Sequence, residues 1–192
     1  MRRAAALLLL LAACTHDNGG AVSPKRTTTS TPVTSTSTTA SLTPTLAGAA
    51  TSPVSTPPGT ERGLLTAVRV DHQPGFDRVV FELSGATPGY GVRYVQPPIR
   101  ADASGETVPV AGNAFVQVRL EDASTVDLSG GTPRTTYGGP NRVRGSTNDV
   151  AEVVKAGDFE GVLTWVIGVR TRTPFRVTTL SGPPRVVVDL QS

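Results

Sequence analysis

From Leu64 onward, hydrophobic and polar residues alternate with a period of two, the pattern of strands that bury one face. Arg78 to Leu83 sets Val79, Phe81 and Leu83 on one side and Arg78 and Glu82 on the other, and Ala114 to Leu120 does the same with Val116, Val118 and Leu120. Leu64 to Val70 places Leu64, Thr66, Val68 and Val70 together before Asp71-His72-Gln73-Pro74-Gly75 breaks the run. Ser84 to Gly89 reads as a turn, and Tyr90, Val92 and Tyr94 follow on one face. Val150 to Ala156, Val162 to Val169, Phe175 to Leu180 and Arg185 to Leu190 bring the expected strands to eight. Val153-Val154 could instead start a short helix that Gly157 would end. The expectation is all-β: residues 62–192 as one β-sandwich of about eight strands.

The N-terminus carries a different pattern. Arg2 and Arg3 precede an unbroken apolar run from Ala4 to Ala13. Ten helical residues cover about 15 Å, half of a hydrocarbon core of about 30 Å, so the run reads as a signal peptide, residues 1–13, rather than a membrane span. Leu11-Ala12-Ala13-Cys14 resembles the bacterial lipobox, in which the cysteine thiol accepts a diacylglyceryl group. Cys14 is the chain's single cysteine, so neither a disulfide nor a cysteine zinc cluster can form within it. A doubly acylated Cys14 would hold the mature chain to the outer side of the cell membrane. From Ser23 to Thr60, twenty of thirty-eight residues are Ser or Thr and six are Pro, with no acid and no aromatic. Such a stretch cannot bury a core. Residues 14–61 are therefore expected to be a disordered tether, with O-linked sugars on its Thr/Ser clusters as a further possibility.

Charge removes one class of partner. The formal net charge of +3 includes Arg2 and Arg3, leaving +1 after cleavage, and Leu64 to Ser192 holds thirteen basic and thirteen acidic residues, interspersed. A nucleic-acid partner would call for a basic stripe or cluster. The sixteen arginines against two lysines suggest a GC-rich genome, such as that of an actinobacterium.

Later motifs carry a family resemblance. Pro174-Phe175-Arg176-Val177 with Leu180, then Pro183-Pro184-Arg185-Val186-Val187-Val188-Asp189-Leu190, resembles the closing motif of AMIN domains. Phe76-Asp77-Arg78-Val79-Val80-Phe81-Glu82-Leu83 echoes its Arg-Val-Val-x-acid-Leu pattern. With Gly89-Tyr90-Gly91-Val92-Arg93-Tyr94-Val95 and the segment from Ala156 to Trp165, nearly all of residues 64–192 is similar to the AMIN-like domain of actinobacterial lipoproteins. The resemblance implies a β-sandwich of the cell envelope, associated with peptidoglycan binding and with localising wall amidases or secretin machinery. The stretch from Glu121 to Asp149 is longer than the usual arrangement.

Catalytic constellations are sparse. His16 falls in the tether and His72 in a turn, so no His pair is placed for zinc and any Ser-His-Asp triad would have to recruit His72. Gly89-Tyr90-Gly91 is too short to cradle phosphate and reads as a turn. Asp158 and Glu160 flank Phe159 and could form a glycosidase pair, although Gly157 and Gly161 around them suggest a hairpin turn.

Binding has better candidates, because glycans are held by aromatic faces and polar side chains. The long stretch from Glu121 to Asp149 contains Tyr137, Arg142 and Arg144, the first choice for a ligand surface. Arg93 and Tyr94 are further candidates, although alternation makes Tyr94 a core-edge residue as well. Trp165 alternates with Leu163, Ile167 and Val169 and reads as core. The expected protein is a monomeric envelope lipoprotein, without cofactor or catalysis, that binds a cell-wall component such as peptidoglycan. A module recruiting a wall hydrolase or secretion partner is the alternative, and a hydrolase using Asp158 and Glu160 the third.

Overall fold

The structure is a computed structural model and describes residues 45–192; the expected signal peptide, Cys14 and the first part of the expected tether lie outside them. Thirteen strands and no helix occur among the described residues. They are β1 (Val54–Thr56), β2 (Gly63–Gln73), β3 (Phe76–Gly85), β4 (Gly89–Val95), β5 (Ala114–Glu121), β6 (Ala123–Ser124), β7 (Val126–Asp127), β8 (Arg134–Thr135), β9 (Arg142–Arg144), β10 (Val150–Phe159), β11 (Val162–Val169), β12 (Phe175–Leu180) and β13 (Arg185–Gln191). One sheet runs β1-β4-β5-β11-β10-β9, the other β12-β13-β3-β2-β6, and β7 pairs with β8. All eight expected strands are present, and Val153-Val154 lies in a strand rather than a helix.

The inward faces of the two sheets close one core. Val79, Phe81 and Leu83 of β3 and Val186, Val188 and Leu190 of β13 meet Val116, Val118 and Leu120 of β5 and the alternate residues of β11, all buried. Phe81 and Trp165 join the layers with ring centroids 6.1 Å apart, which places Trp165 in the core as its alternation indicates. In β2 the expected inward set is out of phase at its start. Leu65 pairs with Leu83 and Ala67 with Glu82, so Thr66 is an extra residue, a bulge. That insertion makes Leu65, not Leu64, the fully buried side chain, while Val68 and Val70 still pack on the core. The hairpin is also tighter than expected: Gln73 pairs with Phe76, so the turn is Pro74-Gly75 alone and His72 belongs to a strand.

The repeated Arg-Val-Val-x-acid-Leu pattern has a geometric cause. β3 and β13 are antiparallel neighbours whose register sets Arg78 opposite Asp189 and Arg185 opposite Glu82, the arginine of each copy facing the acid of the other. Asp189 is fully buried and accepts hydrogen bonds from Arg78 Nε at 2.7 Å, Arg78 Nη2 at 2.9 Å and Arg176 Nη2 at 2.8 Å. These bonds tie β3, β12 and β13 together on the sheet's outer face.

Part of the expected tether and the long stretch chosen as a ligand surface are both built into the fold. Residues 45–61 belong to the expected tether, yet Leu46 is buried, Ala50 exchanges two 2.9 Å backbone hydrogen bonds with Phe175, and β1 pairs with β4. Pairing the otherwise open edge of β4 compensates for a composition that cannot form a core alone. The stretch from Glu121 to Asp149 contains β6 to β9, with Thr136 Oγ1 donating to the Leu65 carbonyl at 2.9 Å. Residues 96–113, which link β4 to β5, fold over the outer face of the six-stranded sheet. There Ile99, Val108 and Val110 pack with Phe115, Val166 and Ala156 of the sheet.

Candidate functional site

The residues first chosen as a ligand surface are not brought together. Tyr137 is only 6% exposed; its ring stands edge-on to Trp165 at 5.6 Å and its hydroxyl donates to the Pro140 carbonyl at 2.8 Å. An interior ring cannot stack on a sugar, so Tyr137 is a core residue. It escaped the alternation argument because it lies between β8 and β9, outside any strand. Arg142 is spoken for as well: Nη1 pairs with Glu152 and Nη2 donates to the Pro109 carbonyl at 2.8 Å. Glu152 also accepts from the Ala111 amide, so the pair clamps the 96–113 segment onto the sheet. Arg144 shares the exposed face of β9, where its charge helps lower the Glu152 pKa, although burial opposes that shift first and the Arg142 hydrogen bond does most to outweigh it.

Tyr94 is likewise structural. Its hydroxyl donates to the Thr173 carbonyl at 2.7 Å and accepts from the Thr173 amide at 3.0 Å, fixing β4 to the approach to β12. Its ring packs edge-on to Phe175 at 5.8 Å with the Arg172 guanidinium 4.0 Å above it, and burial raises its pKa. Arg93 is exposed and bonds only a neutral partner, Gln117 Oε1, at 3.3 Å. Four strand spacings, about 19 Å, separate β4 from β9, so Arg93 and Arg142 do not belong to one compact site.

The acids proposed for glycoside cleavage occupy the β10–β11 hairpin. Phe159 pairs with Val162, and Glu160 and Gly161 form the two-residue turn with φ of 52° and 76°. Asp158 lies in the strand, where its Oδ2 accepts from the Thr125 amide at 2.9 Å and from the Thr125 hydroxyl. That carboxylate fixes the start of the β6–β7 segment. His72 Nδ1 lies 2.8 Å from Asp77 Oδ1, and among the described residues no serine hydroxyl is hydrogen-bonded to the ring. No group of three or more His, Cys, Asp or Glu could hold a metal ion among the described residues.

A concavity that the sequence did not signal lies on the outer face of the six-stranded sheet. Its floor is Gly91, which lies in β4 rather than in a turn and whose missing side chain leaves open space above it. Register sets Ser55 of β1 beside Gly91 on one side and Arg119 of β5 on the other, while Arg93 sits opposite Gln117. Pro53, Val54 and Ser55 wall the groove along β1, and Arg93 and Arg119 flank it, enclosing about 310 Å³. The two arginines are diagonal neighbours across the strand pair, a separation of about 7–8 Å. Arg119 makes no hydrogen bond or ion pair among the described residues, so neither guanidinium has a carboxylate partner. Arg119 also lines a second hollow of about 320 Å³, shared with Asp102, Glu160, Val162 and the exposed Phe159. Alternation alone could place Arg119 outward, between Val118 and Leu120. Nothing in the Thr/Ser/Pro composition of residues 45–61 indicated that they supply the facing wall.

The chain matches no curated protein and no solved structure. A family model does match, over residues 63–192, which spans β2 to β13 and leaves β1 outside. The two-sheet architecture, the reciprocal β3–β13 motif and that match agree: the chain belongs to the AMIN-like domain family.

Proposed function

We propose that the protein is a cell-envelope lipoprotein, held to the membrane through lipidated Cys14, whose domain binds peptidoglycan without chemistry of its own. Membership of the AMIN-like family points to a cell-wall-associated binding module. The observation that carries the finer reading is the groove over Gly91, an open surface feature flanked by two arginines that make no ion pair among the described residues. Binding sites are concave and present a few polar groups whose hydrogen-bonding capacity is unspent. The other candidate groups are spent on the fold: Asp158 on Thr125, Arg142 on Glu152 and Pro109.

The test is sedimentation of the chain, from residue 15 onward, with protein-stripped peptidoglycan. Saturable co-sedimentation without release of soluble fragments is the expected result; release of fragments would revive the hydrolase reading. Mass spectrometry of the native protein checks the anchor, since a Cys14→Ser chain should lose the lipid adduct and leave the membrane fraction.

One observation favours a protein partner as the second reading. Leu128, at the end of β7, is 59% exposed beside a hollow it shares with Leu64 and Arg62. An exposed apolar residue at a concavity suits a protein surface. No binding to peptidoglycan at any salt concentration would move that reading to first place.

A further inference from the structure

The lining of the Gly91 groove is informative about what would occupy it. Sugar rings are commonly held on exposed aromatic faces, but no aromatic residue lines this groove, and Tyr90, Tyr137, Trp165, Phe81 and Phe175 are buried. The groove offers instead two guanidiniums, a backbone floor at Gly91 and the strap residues Pro53 to Ser55. An arginine presents a planar fork of donors that matches a carboxylate in two parallel bonds. Two such forks on long, flexible stems that rise from diagonal positions about 7–8 Å apart can converge on one carboxylate or bracket two. The acidic groups of this face, Asp102 and Glu160, border the neighbouring hollow beyond Arg119, and Glu121 lies two residues further along β5. Arg119 lines that hollow as well as the groove, whereas Arg93 lines the groove alone and stands away from Asp102 and Glu160.

We propose that this groove is a carboxylate-recognition site, in which Arg93 and Arg119 clamp a free carboxylate of a peptidoglycan stem peptide against the Pro53–Ser55 strap. The source of the carboxylate rests on the peptidoglycan reading above; the clamp itself rests on the groove. Gly91 gives a clean means of blocking it. A Cβ built at this position meets nothing within 4 Å and the residue has no positive φ, so a larger side chain enters the groove without disturbing the strand.

The experiment titrates the chain from residue 15 onward with a synthetic stem tetrapeptide carrying free carboxylates and with the same peptide fully amidated. Protein-stripped peptidoglycan is assayed in parallel. The free acid should bind saturably and weaken as salt rises from 0.05 to 0.5 M, about the range over which screening shortens from beyond the groove's width to less than it. Amidation, Gly91→Leu, and the double substitution Arg93→Gln/Arg119→Gln should each weaken binding at least tenfold, with the thermal midpoint of both variants kept. Equal binding of acid and amide, or unchanged binding in both variants while peptidoglycan still sediments, overturns the clamp and leaves the wall reading to another surface. Binding of the free acid without sedimentation upholds the clamp and removes peptidoglycan as its source. Failure of the wild-type chain to bind either probe removes both. If Gly91→Leu lowers the midpoint, the arginine pair, of which neither makes an ion pair within the fold, decides.

Discussion

Thr164 shows how closely this fold fills its outer as well as its inner face. It sits opposite Arg119, faces away from the core, is fully buried, and its hydroxyl has no hydrogen-bond partner among the described residues. A buried hydroxyl left unpaired costs about 1–3 kcal/mol, whereas a methyl of the same shape has no such cost. Thr164→Val should therefore raise stability by about 1 kcal/mol, seen as a higher urea midpoint with an unchanged slope. A lower midpoint would mean that the hydroxyl is satisfied. Tyr137 offers the opposite case. Removing its hydroxyl leaves the Pro140 carbonyl without its donor, so Tyr137→Phe should cost about 1 kcal/mol, and Tyr137→Ala, which also empties space beside Trp165, about 3–5 kcal/mol. Neither should change the affinity of the remaining folded protein for peptidoglycan. A selective loss of affinity in Tyr137→Phe would restore the ring to the binding surface.

At the scale of elements, strands could be read from sequence wherever one face is buried and the period holds, as in β3, β5, β11 and β13. Reading failed where the period was interrupted or where pairing, not burial, makes the element. The Thr66 bulge shifted the inward set of β2, and β1 has a composition that says nothing of strand. The groove was lost for the same reason, since one wall is β1 and its floor is a glycine that resembled a turn. Two predictions follow from pairing. Gly89 is a position where even a Cβ would fall 2.4 Å from the Pro58 backbone nitrogen, so the chain after β1 crosses β4 at close range. Gly89→Val should displace that crossing and speed amide exchange at Val54 to Thr56 relative to β11, while unchanged exchange would show that the strap is held elsewhere. The β10–β11 turn has positive φ at both Glu160 and Gly161, a combination in which asparagine is favoured over glutamate at the first position. Glu160→Asn should stabilise by about 0.5–1 kcal/mol, and a loss would assign the glutamate a compensating contact.

Across the whole molecule, buried carboxylates join segments far apart in sequence, and their titration governs acid stability. Burial alone would raise the pKa of Asp77, but hydrogen bonds from His72 and from the Val150 and Asp149 amides outweigh it and hold the group below the usual 3.8. Asp189 follows the same logic through Arg78 and Arg176, and Glu152 through Arg142 and the Ala111 amide. A carboxylate whose folded pKa is depressed stabilises the fold above its unfolded pKa and loses that contribution as pH falls through the folded value. The urea midpoint should therefore hold from pH 7 to about 5 and decline as pH drops below the usual carboxylate values. Asp149 works against this trend. Burial, with the Asp77 charge as a lesser contribution, raises its pKa above 3.8. Its contribution is thus present at low pH and lost as pH rises through the folded value, so at pH 7 its ionised form weighs against the fold. Asp149→Asn keeps a side-chain oxygen for the Thr171 amide, which Asp149 Oδ1 accepts at 2.8 Å, and removes the charge. The substitution should raise the urea midpoint at pH 7 and leave it nearly unchanged at pH 3, where the acid is protonated in both states. A gain of equal size at both pH values would trace the effect to packing instead, and a loss at pH 7 would show that the ionised carboxylate is needed to hold the segment leading into β12.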